Sequence, residues 1–170
     1  MPWPIWALAA SRCPEAGRIP ATMSNPEPTS SFSNSASAAP AQGYAGDVSP
    51  EQAYAWWQAG KAVLVDVRSD AEREWVGVVP GAPAVAWKQW PGMVLNPQFD
   101  EQIRSVVAPG QRVLLLCRSG VRSIAAARRA TELGLEAYNI LEGFEGDPDE
   151  HAHRGRKGGW RFRGLPWRQG

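Results

Sequence analysis

Cysteine, histidine and net charge are all scarce in this sequence. Its 170 residues include two cysteines, Cys13 and Cys117, and two histidines. Two distant cysteines cannot form a disulfide framework or a metal site built from thiolates alone. The 18 basic and 17 acidic side chains leave a net charge of +1, which excludes a global attraction to nucleic acid or to an anionic membrane. We assign no metal and no cofactor.

The sequence also lacks an apolar run of the roughly 20 residues that a membrane-spanning helix needs. The short N-terminal run is broken by Pro2 and Pro4, and its first charge, Arg12, follows the run, unlike the order in a secretory signal. We therefore expect a cytoplasmic protein without membrane contact. Residues 1–45 are rich in Ser, Ala and Pro and predict a disordered leader, in which Met23 is a candidate translation start.

Strand and helix patterns alternate along residues 46–146, which we interpret as one domain. At 49–52, S-P-E-Q predicts a serine N-cap followed by proline at the first helical position. Alternation of this kind is typical of an α/β fold with a mainly parallel sheet. The predicted strands are 62–67, 84–87, 112–117 and 136–141, and the predicted helices are 50–59, 98–107 and 123–133.

The strongest predicted strand ends at Cys117, where open α/β sheets place their ligands. The residues after it form a short connection to a helix and contain one glycine, so their amides can converge on one point. The amides of this connection, the N-terminus of the following helix and two arginines all favour the thiolate form of Cys117. Together they also attract an anionic substrate. Cys117 is thus a candidate nucleophile, and the candidate substrate-binding residues are Arg118, Ser119, Gly120, Val121, Arg122 and Ser123.

Four motifs give the chain a resemblance to a known family. They are D-V-R at 66–68, V-P-G-A at 79–82, C-R-S-G-V-R-S at 117–123 and L-E-G at 141–143. With these motifs the sequence resembles the rhodanese family of sulfurtransferases. The resemblance implies an open, mainly parallel sheet flanked by helices on both faces. It also implies that Cys117 takes a sulfane sulfur as a persulfide and passes it to a nucleophilic acceptor. Val78 stands where many members carry a histidine.

The chemistry of this segment predicts roles for the charged residues. Arg118 and Arg122 would bind an anionic donor such as thiosulfate, because the guanidinium fork suits an oxyanion. Asp66 and Arg68 would brace the loop as an ion pair. The expected partners are a small-molecule sulfur donor and a thiol or cyanide acceptor. Thiosulfate, a mercaptopyruvate-like donor and a protein persulfide all fit two arginines around a thiolate.

Two other functions are alternatives to sulfur transfer. Cysteine phosphatases of the cell-division-cycle type share this fold but need five residues between cysteine and arginine, whereas four separate Cys117 from Arg122. The tail, residues 147–170, interleaves basic and aromatic residues and could serve as a module that binds RNA or a protein partner. We expect instead that its aromatics pack on the domain and that its arginines pair with the preceding acids. His151 and His153 are expected to be exposed loop residues.

Overall fold

The computed structural model describes residues 38–169. The predicted leader lies mostly outside this range, together with Cys13 and Met23, so those interpretations stay predictions. The strands are Gly46–Val48 (β1), Ala62–Asp66 (β2), Lys88–Gln89 (β3), Val94–Leu95 (β4), Arg112–Leu116 (β5) and Glu136–Ile140 (β6). The helices are Pro50–Gln58 (α1), Asp70–Val76 (α2), Phe99–Val106 (α3) and Val121–Glu132 (α4).

Four parallel strands form the main sheet, in the order β1-β6-β5-β2. Successive side chains of a strand face opposite sides of a sheet, so β5 contributes Leu114 to one apolar cluster and Leu115 to the other. The first cluster includes Ala53 of α1, and the second includes residues of α3 and α4. Helices therefore cover both faces, which confirms the predicted fold class and explains the nearly unbroken apolar runs of β2 and β5.

Local sequence rules account for several helix ends. The Ser49 hydroxyl accepts the Gln52 amide at 3.2 Å and Pro50 opens α1, as the S-P-E-Q pattern predicts. The helix predicted over 123–133 begins two residues earlier, at Val121, because Gly120 turns the chain directly into it. This early start brings the first turn of α4 close to the end of β5.

The strand predicted over 84–87 is wrong, because these residues do not form a regular strand. Ala84 forms a single bridge with Asp66, and Val85 and Trp87 bond backbone groups at the end of β2 without forming a regular strand. A two-stranded antiparallel hairpin, β3 and β4, follows instead. The strand β1 was not expected, because its three residues are too few to show a period.

The C-terminal segment after 147 packs on the domain. Trp160 is fully buried, its ring nitrogen donates to the Pro166 carbonyl at 2.9 Å, and Trp167 meets the Phe144 ring edge-on. The expected charge pairs are present, with Arg161 beside Glu145 and Arg163 on Glu142. The inward packing is confirmed for Trp160 and Trp167 but is wrong for Phe162, which is 51% exposed. The acidic partners are confirmed for Arg161 and Arg163, whereas Arg154 donates to the Gly146 carbonyl instead.

Two further expectations concern membranes and metals. Across residues 38–169, no helix combines the length and the apolar character needed to cross a bilayer. His151 and His153 are both exposed, as expected. The same part of the chain holds no group of three or more potential metal-ligating side chains.

Candidate active site

Cys117 follows β5, an inner strand of the sheet, and lies at the carboxyl edge. Its side chain is 1% exposed. Its carbonyl oxygen accepts the amide of Phe144 at 2.8 Å, which fixes the backbone on the side away from the loop. The sulfur is therefore held by rigid elements on one side and by a short loop on the other.

Gly120 directs a backbone amide at this sulfur. Its nitrogen lies 3.2 Å from Cys117 Sγ and donates to it, while its φ of 92° places it in the left-handed region that favours glycine. A side chain at 120 would also approach the Glu142 amide to 3.4 Å. Gly120 therefore permits the turn that presents an amide and the start of α4 to the sulfur.

Ser123 supplies a second donor from the first turn of α4. Its hydroxyl oxygen lies 3.2 Å from Cys117 Sγ, and the residue is fully buried. Within residues 38–169, the sulfur receives hydrogen bonds from Gly120 and Ser123 alone. Ser119 is half-buried and Val121 is 71% exposed, so these two candidates form the loop without contributing a hydrogen bond to the sulfur.

Arg122 is engaged by a carboxylate that the sequence reasoning did not select. Both terminal nitrogens of its guanidinium donate to Glu72, at 2.7 and 2.6 Å. Burial opposes ionisation of Glu72, but the hydrogen bonds from Arg122 and Ser69 outweigh it and lower the pKa of Glu72 to about 2. The hydrogen bonds to Glu72 likewise raise the pKa of Arg122. Arg122 is therefore a fixed cation beside the loop.

The sequence around Glu72 contains a helix-capping pattern, S-x-x-E at 69–72. Ser69 and Glu72 form a capping box at the start of α2, in which each side chain bonds the backbone amide of the other residue. The S-x-x-E spacing predicts this cap but does not reveal that the same carboxylate reaches α4, 50 residues later. The contact depends on the tertiary fold, since α2 and α4 both lie at the carboxyl edge of the sheet.

Arg118 differs from Arg122 in being exposed. Its guanidinium has no ion pair or hydrogen bond with any described residue from 38 to 169. It lines a cleft of about 420 Å³. The other lining residues are Ser69, Ala71, Glu72, Lys88, Trp90, Met93 and Arg122. Lys88 is a third cation at this cleft, after Arg118 and Arg122, and comes from β3, where the sequence predicted no site residue.

Asp66 and Arg68 form a buried pair. The Arg68 guanidinium makes three hydrogen bonds to the Asp66 carboxylate and one to the Gly77 carbonyl, which ends α2. It also stacks on the Phe144 ring at 3.9 Å. The pair thus meets α2 directly and reaches the 117–123 loop through Phe144, whose amide bonds Cys117. Both residues are at most 1% exposed, and the hydrogen bonds of the Arg68 guanidinium go to Asp66 and to the Gly77 carbonyl.

The L-E-G segment packs against the back of the loop. A Cβ at Gly143 would lie 2.5 Å from the Cys117 carbonyl oxygen and 2.6 Å from the Ser119 nitrogen. Its φ of 61° is also left-handed. The Glu145 amide donates to the Arg118 carbonyl at 2.9 Å. This close approach, which only glycine allows, sets the position of the residues that surround the sulfur.

A family model described as the rhodanese-like domain matches residues 49–147. The chain belongs to the rhodanese-like domain family. The match contains Cys117, the loop, Glu72, Asp66 and Arg68, so every predicted site residue falls inside the rhodanese-like part. It ends before Trp160, which nevertheless completes the core.

Similar proteins support the assignment. The crystal structure of Rv0390 from M. tuberculosis is 45% identical and aligns with a TM-score of 0.68, covering 75% of this chain and 99% of that one. An uncharacterized protein of Rickettsia conorii is 35% identical over 111 residues, covering 62% of this chain and 82% of its own. A rhodanese-like domain from Anabaena shares the fold, with 13% identity, a TM-score of 0.51 and coverage of 72% of this chain and 78% of its own.

Proposed function

We propose that the protein is a sulfurtransferase that moves a sulfane sulfur from an anionic donor to a thiol or cyanide acceptor through a Cys117 persulfide. The observation that carries the proposal is the cysteine sulfur enclosed by the Gly120 amide and the Ser123 hydroxyl, both at 3.2 Å. Such donors stabilise negative charge on sulfur. Membership of a family that includes sulfurtransferases is consistent with this chemistry.

With thiosulfate as donor, the reaction has two steps. The Cys117 thiolate attacks the outer sulfur of thiosulfate, the sulfur–sulfur bond breaks, and sulfite leaves with the bonding electron pair. The acceptor then attacks the terminal sulfur of the persulfide, and the electron pair of the broken bond returns to Cys117 as thiolate. No external oxidant or reductant is needed, because the sulfane sulfur passes between nucleophiles.

Arg118 and Lys88 are the groups we assign to donor binding. They are the cations at the cleft that lack a carboxylate partner among the described residues. Arg122 contributes its charge from a fixed position, since Glu72 already holds both of its terminal nitrogens. Binding of a dianionic donor therefore depends most directly on Arg118.

The loop does not support a cysteine phosphatase. Ser123 stands where the phosphatase spacing requires arginine, so a hydroxyl, and not a guanidinium, lies at the sulfur.

The tail does not support the RNA-binding alternative, since several of its basic side chains have acidic partners. These include Arg156 with Asp149, Lys157 with Glu150, Arg161 with Glu145 and Arg163 with Glu142.

The test is steady-state turnover of thiosulfate and cyanide, combined with intact and peptide mass spectrometry after thiosulfate alone. We expect thiocyanate and sulfite as products and a mass increase of one sulfur atom on the peptide that contains Cys117. Faster hydrolysis of an aryl phosphate than consumption of thiosulfate would contradict the proposal. So would a sulfur adduct on Cys13.

A further inference from the structure

Beyond the sulfur lies a polar array that the proposed reaction does not use; Ser123 and Asn139 are buried in it and Asp47 is half-buried. The Ser123 hydroxyl is 2.6 Å from Asn139 Oδ1, and Asn139 Nδ2 is 2.8 Å from Asp47 Oδ1. Asp47 and Asn139 are register partners on the neighbouring strands β1 and β6. Asn139 is 1% exposed. The array joins Cys117 to the edge strand of the sheet through side chains alone.

Asp47 fixes which end of the Asn139 amide meets Ser123. An ionised carboxylate only accepts hydrogen bonds, so the amide NH₂ group must face Asp47 and the amide oxygen must face Ser123. The Tyr44 hydroxyl donates to the same Asp47 oxygen at 2.9 Å and helps to hold it. Asn139 is therefore an acceptor toward Ser123.

Ser123 has one proton and several acceptors within reach. Its oxygen lies 2.6 Å from Asn139 Oδ1, 3.0 Å from the Gly120 carbonyl and 3.2 Å from Cys117 Sγ. A hydroxyl donates one hydrogen bond at a time, and the amide oxygen is the nearest acceptor. When the proton points to Asn139, the oxygen lone pairs are free to accept the Cys117 thiol proton. When the sulfur is ionised, it competes with Asn139 for the Ser123 proton.

We propose that Asn139 and Asp47 are positioning residues that make the Ser123 hydroxyl a two-position donor, alternating between Asn139 and the sulfur as charge appears on and leaves Cys117. The inference rests on the proposed sulfur transfer. In that reaction Sγ carries the charge in the thiolate, whereas the outer sulfur carries it in the persulfide. Asn139 receives the hydroxyl proton whenever Sγ is neutral, so Ser123 keeps a partner in both states.

The proposal predicts opposite effects for two substitutions. Asn139→Leu removes the nearest competing acceptor and leaves the more distant Gly120 carbonyl, so the Ser123 proton is more available to the charged sulfur and the thiolate forms at lower pH. Ser123→Ala removes the donor, so the thiolate forms at higher pH. Each shift should be about one pH unit, the scale of one hydrogen bond to a charged group. In the Ser123→Ala background, Asn139→Leu should have no effect, because there is no hydroxyl to redirect.

The measurement is thiolate ultraviolet absorbance against pH in full-length protein carrying Cys13→Ser, after subtraction of the matching Cys117→Ser protein. The charged residues on the elements around the sulfur stay unchanged in Asn139→Leu, so its shift reports the hydroxyl. They are Asp47 on β1, Asp66 on β2, Arg68 after β2, Glu72 on α2, Lys88 on β3, Arg118 in the loop and Arg122 on α4. Asn96→Leu removes another buried, hydrogen-bonded asparagine, 6% exposed, and should leave the midpoint unchanged.

Asp47→Asn serves as the second variant and preserves side-chain volume. It removes the carboxylate that fixes the Asn139 amide, so the midpoint should fall, and the part due to Ser123 should vanish in the Ser123→Ala background. The proposal is overturned if Asn139→Leu raises the midpoint or leaves it unchanged, or if its shift persists without Ser123. Absence of a persulfide in the wild-type protein after thiosulfate would instead overturn the proposed function, since the absorbance profile does not depend on sulfur transfer.

Discussion

The two sides of the 117–123 loop differ in how they are built. The inner side, formed by Cys117, Gly120, Ser123 and Asn139, is buried and connected by hydrogen bonds of 2.6 to 3.2 Å. The outer side, formed by Arg118, Arg122, Glu72 and Lys88, is charged and borders a cleft. A buried, connected array fixes one geometry, whereas partly exposed charges are screened and adaptable. We infer that the inner side controls the sulfur chemistry and the outer side controls donor binding.

The largest effect is expected at the centre of the inner side. Cys117→Ser should abolish sulfur transfer while leaving the fold intact, because the serine hydroxyl is not ionised at neutral pH and cannot carry the sulfur. Turnover of thiosulfate and circular dichroism provide the two measurements. Cys13→Ser is the matched control and should retain full activity. Measurable turnover by the Cys117 variant would remove the nucleophile from the inner side.

Gly143 tests the close packing behind the inner side. Gly143→Ala should destabilise the fold by roughly 2–4 kcal/mol and lower kcat, since the new methyl group must displace the loop backbone in addition to the strain of a left-handed φ. Gly134→Ala is the matched control. Gly134 has a φ of 86° with no atom within 4 Å of the added Cβ, so its cost should be strain alone, without a change in kcat. Urea unfolding and thiosulfate kinetics measure both quantities.

Equal losses in the two glycine variants would mean that the approach of Gly143 to Cys117 has no energetic consequence. The comparison is informative because both positions require the same backbone region, and they differ in what surrounds them.

Arg118 tests the outer side. Arg118→Ala should reduce kcat/KM for thiosulfate by roughly 10-fold or more, mainly through KM, with little change in stability, because the exposed guanidinium has no described partner to lose. Arg104→Ala, an exposed arginine on α3, is the control and should leave kinetics unchanged. Arg122→Ala should instead lower stability, since it leaves the Glu72 carboxylate unpaired. Identical KM values for wild type and Arg118→Ala would exclude Arg118 from donor binding.

The smallest effect concerns acid stability on the outer side. The folded pKa of Glu72, about 2, lies below the ordinary value of 4.5, so its ionised form favours the folded state. That contribution is complete above about pH 4.5 and is lost as the pH falls toward 2. Glu72→Gln should flatten the fall of the unfolding free energy in this window. Glu74→Gln, an exposed residue on the same helix, should reproduce the wild-type slope.

Three strands of the main sheet, β2, β5 and β6, and the position of Cys117 at its carboxyl edge were predictable because their information is local. Val113 to Leu116 form a continuous apolar run, and the glycine after Cys117 indicates a tight turn. The Arg122–Glu72 pair and the Asn139 array were not predictable, since each joins residues far apart in the sequence. Asn139 stands between Tyr138 and Ile140 in the buried part of β6, and a polar side chain among such neighbours was the one local indication of a partner.

The hairpin of β3 and β4 could not be predicted either, and the reason is different. Strands β3 and β4 have two residues each, and Val94 and Leu95 are exposed, so neither an alternating nor a continuous apolar pattern arises. The residues expected to form a strand, 84–87, instead extend from the end of β2 through backbone bonds. Tertiary context overrode local propensity here, and it placed Lys88 at the cleft.

The buried Trp160 has a consequence for how the protein can be shortened. The family match ends at 147, yet the indole fills the core beside Phe144, and its amide donates to the Gly143 carbonyl at 2.8 Å. A fragment cut at the family boundary would lack that indole and expose the apolar surface it covers. Weak binding of RNA or a protein by such a fragment would then reflect a damaged domain, not a missing recognition segment. Reversing exposed charges such as Lys157 in the intact chain separates these two explanations.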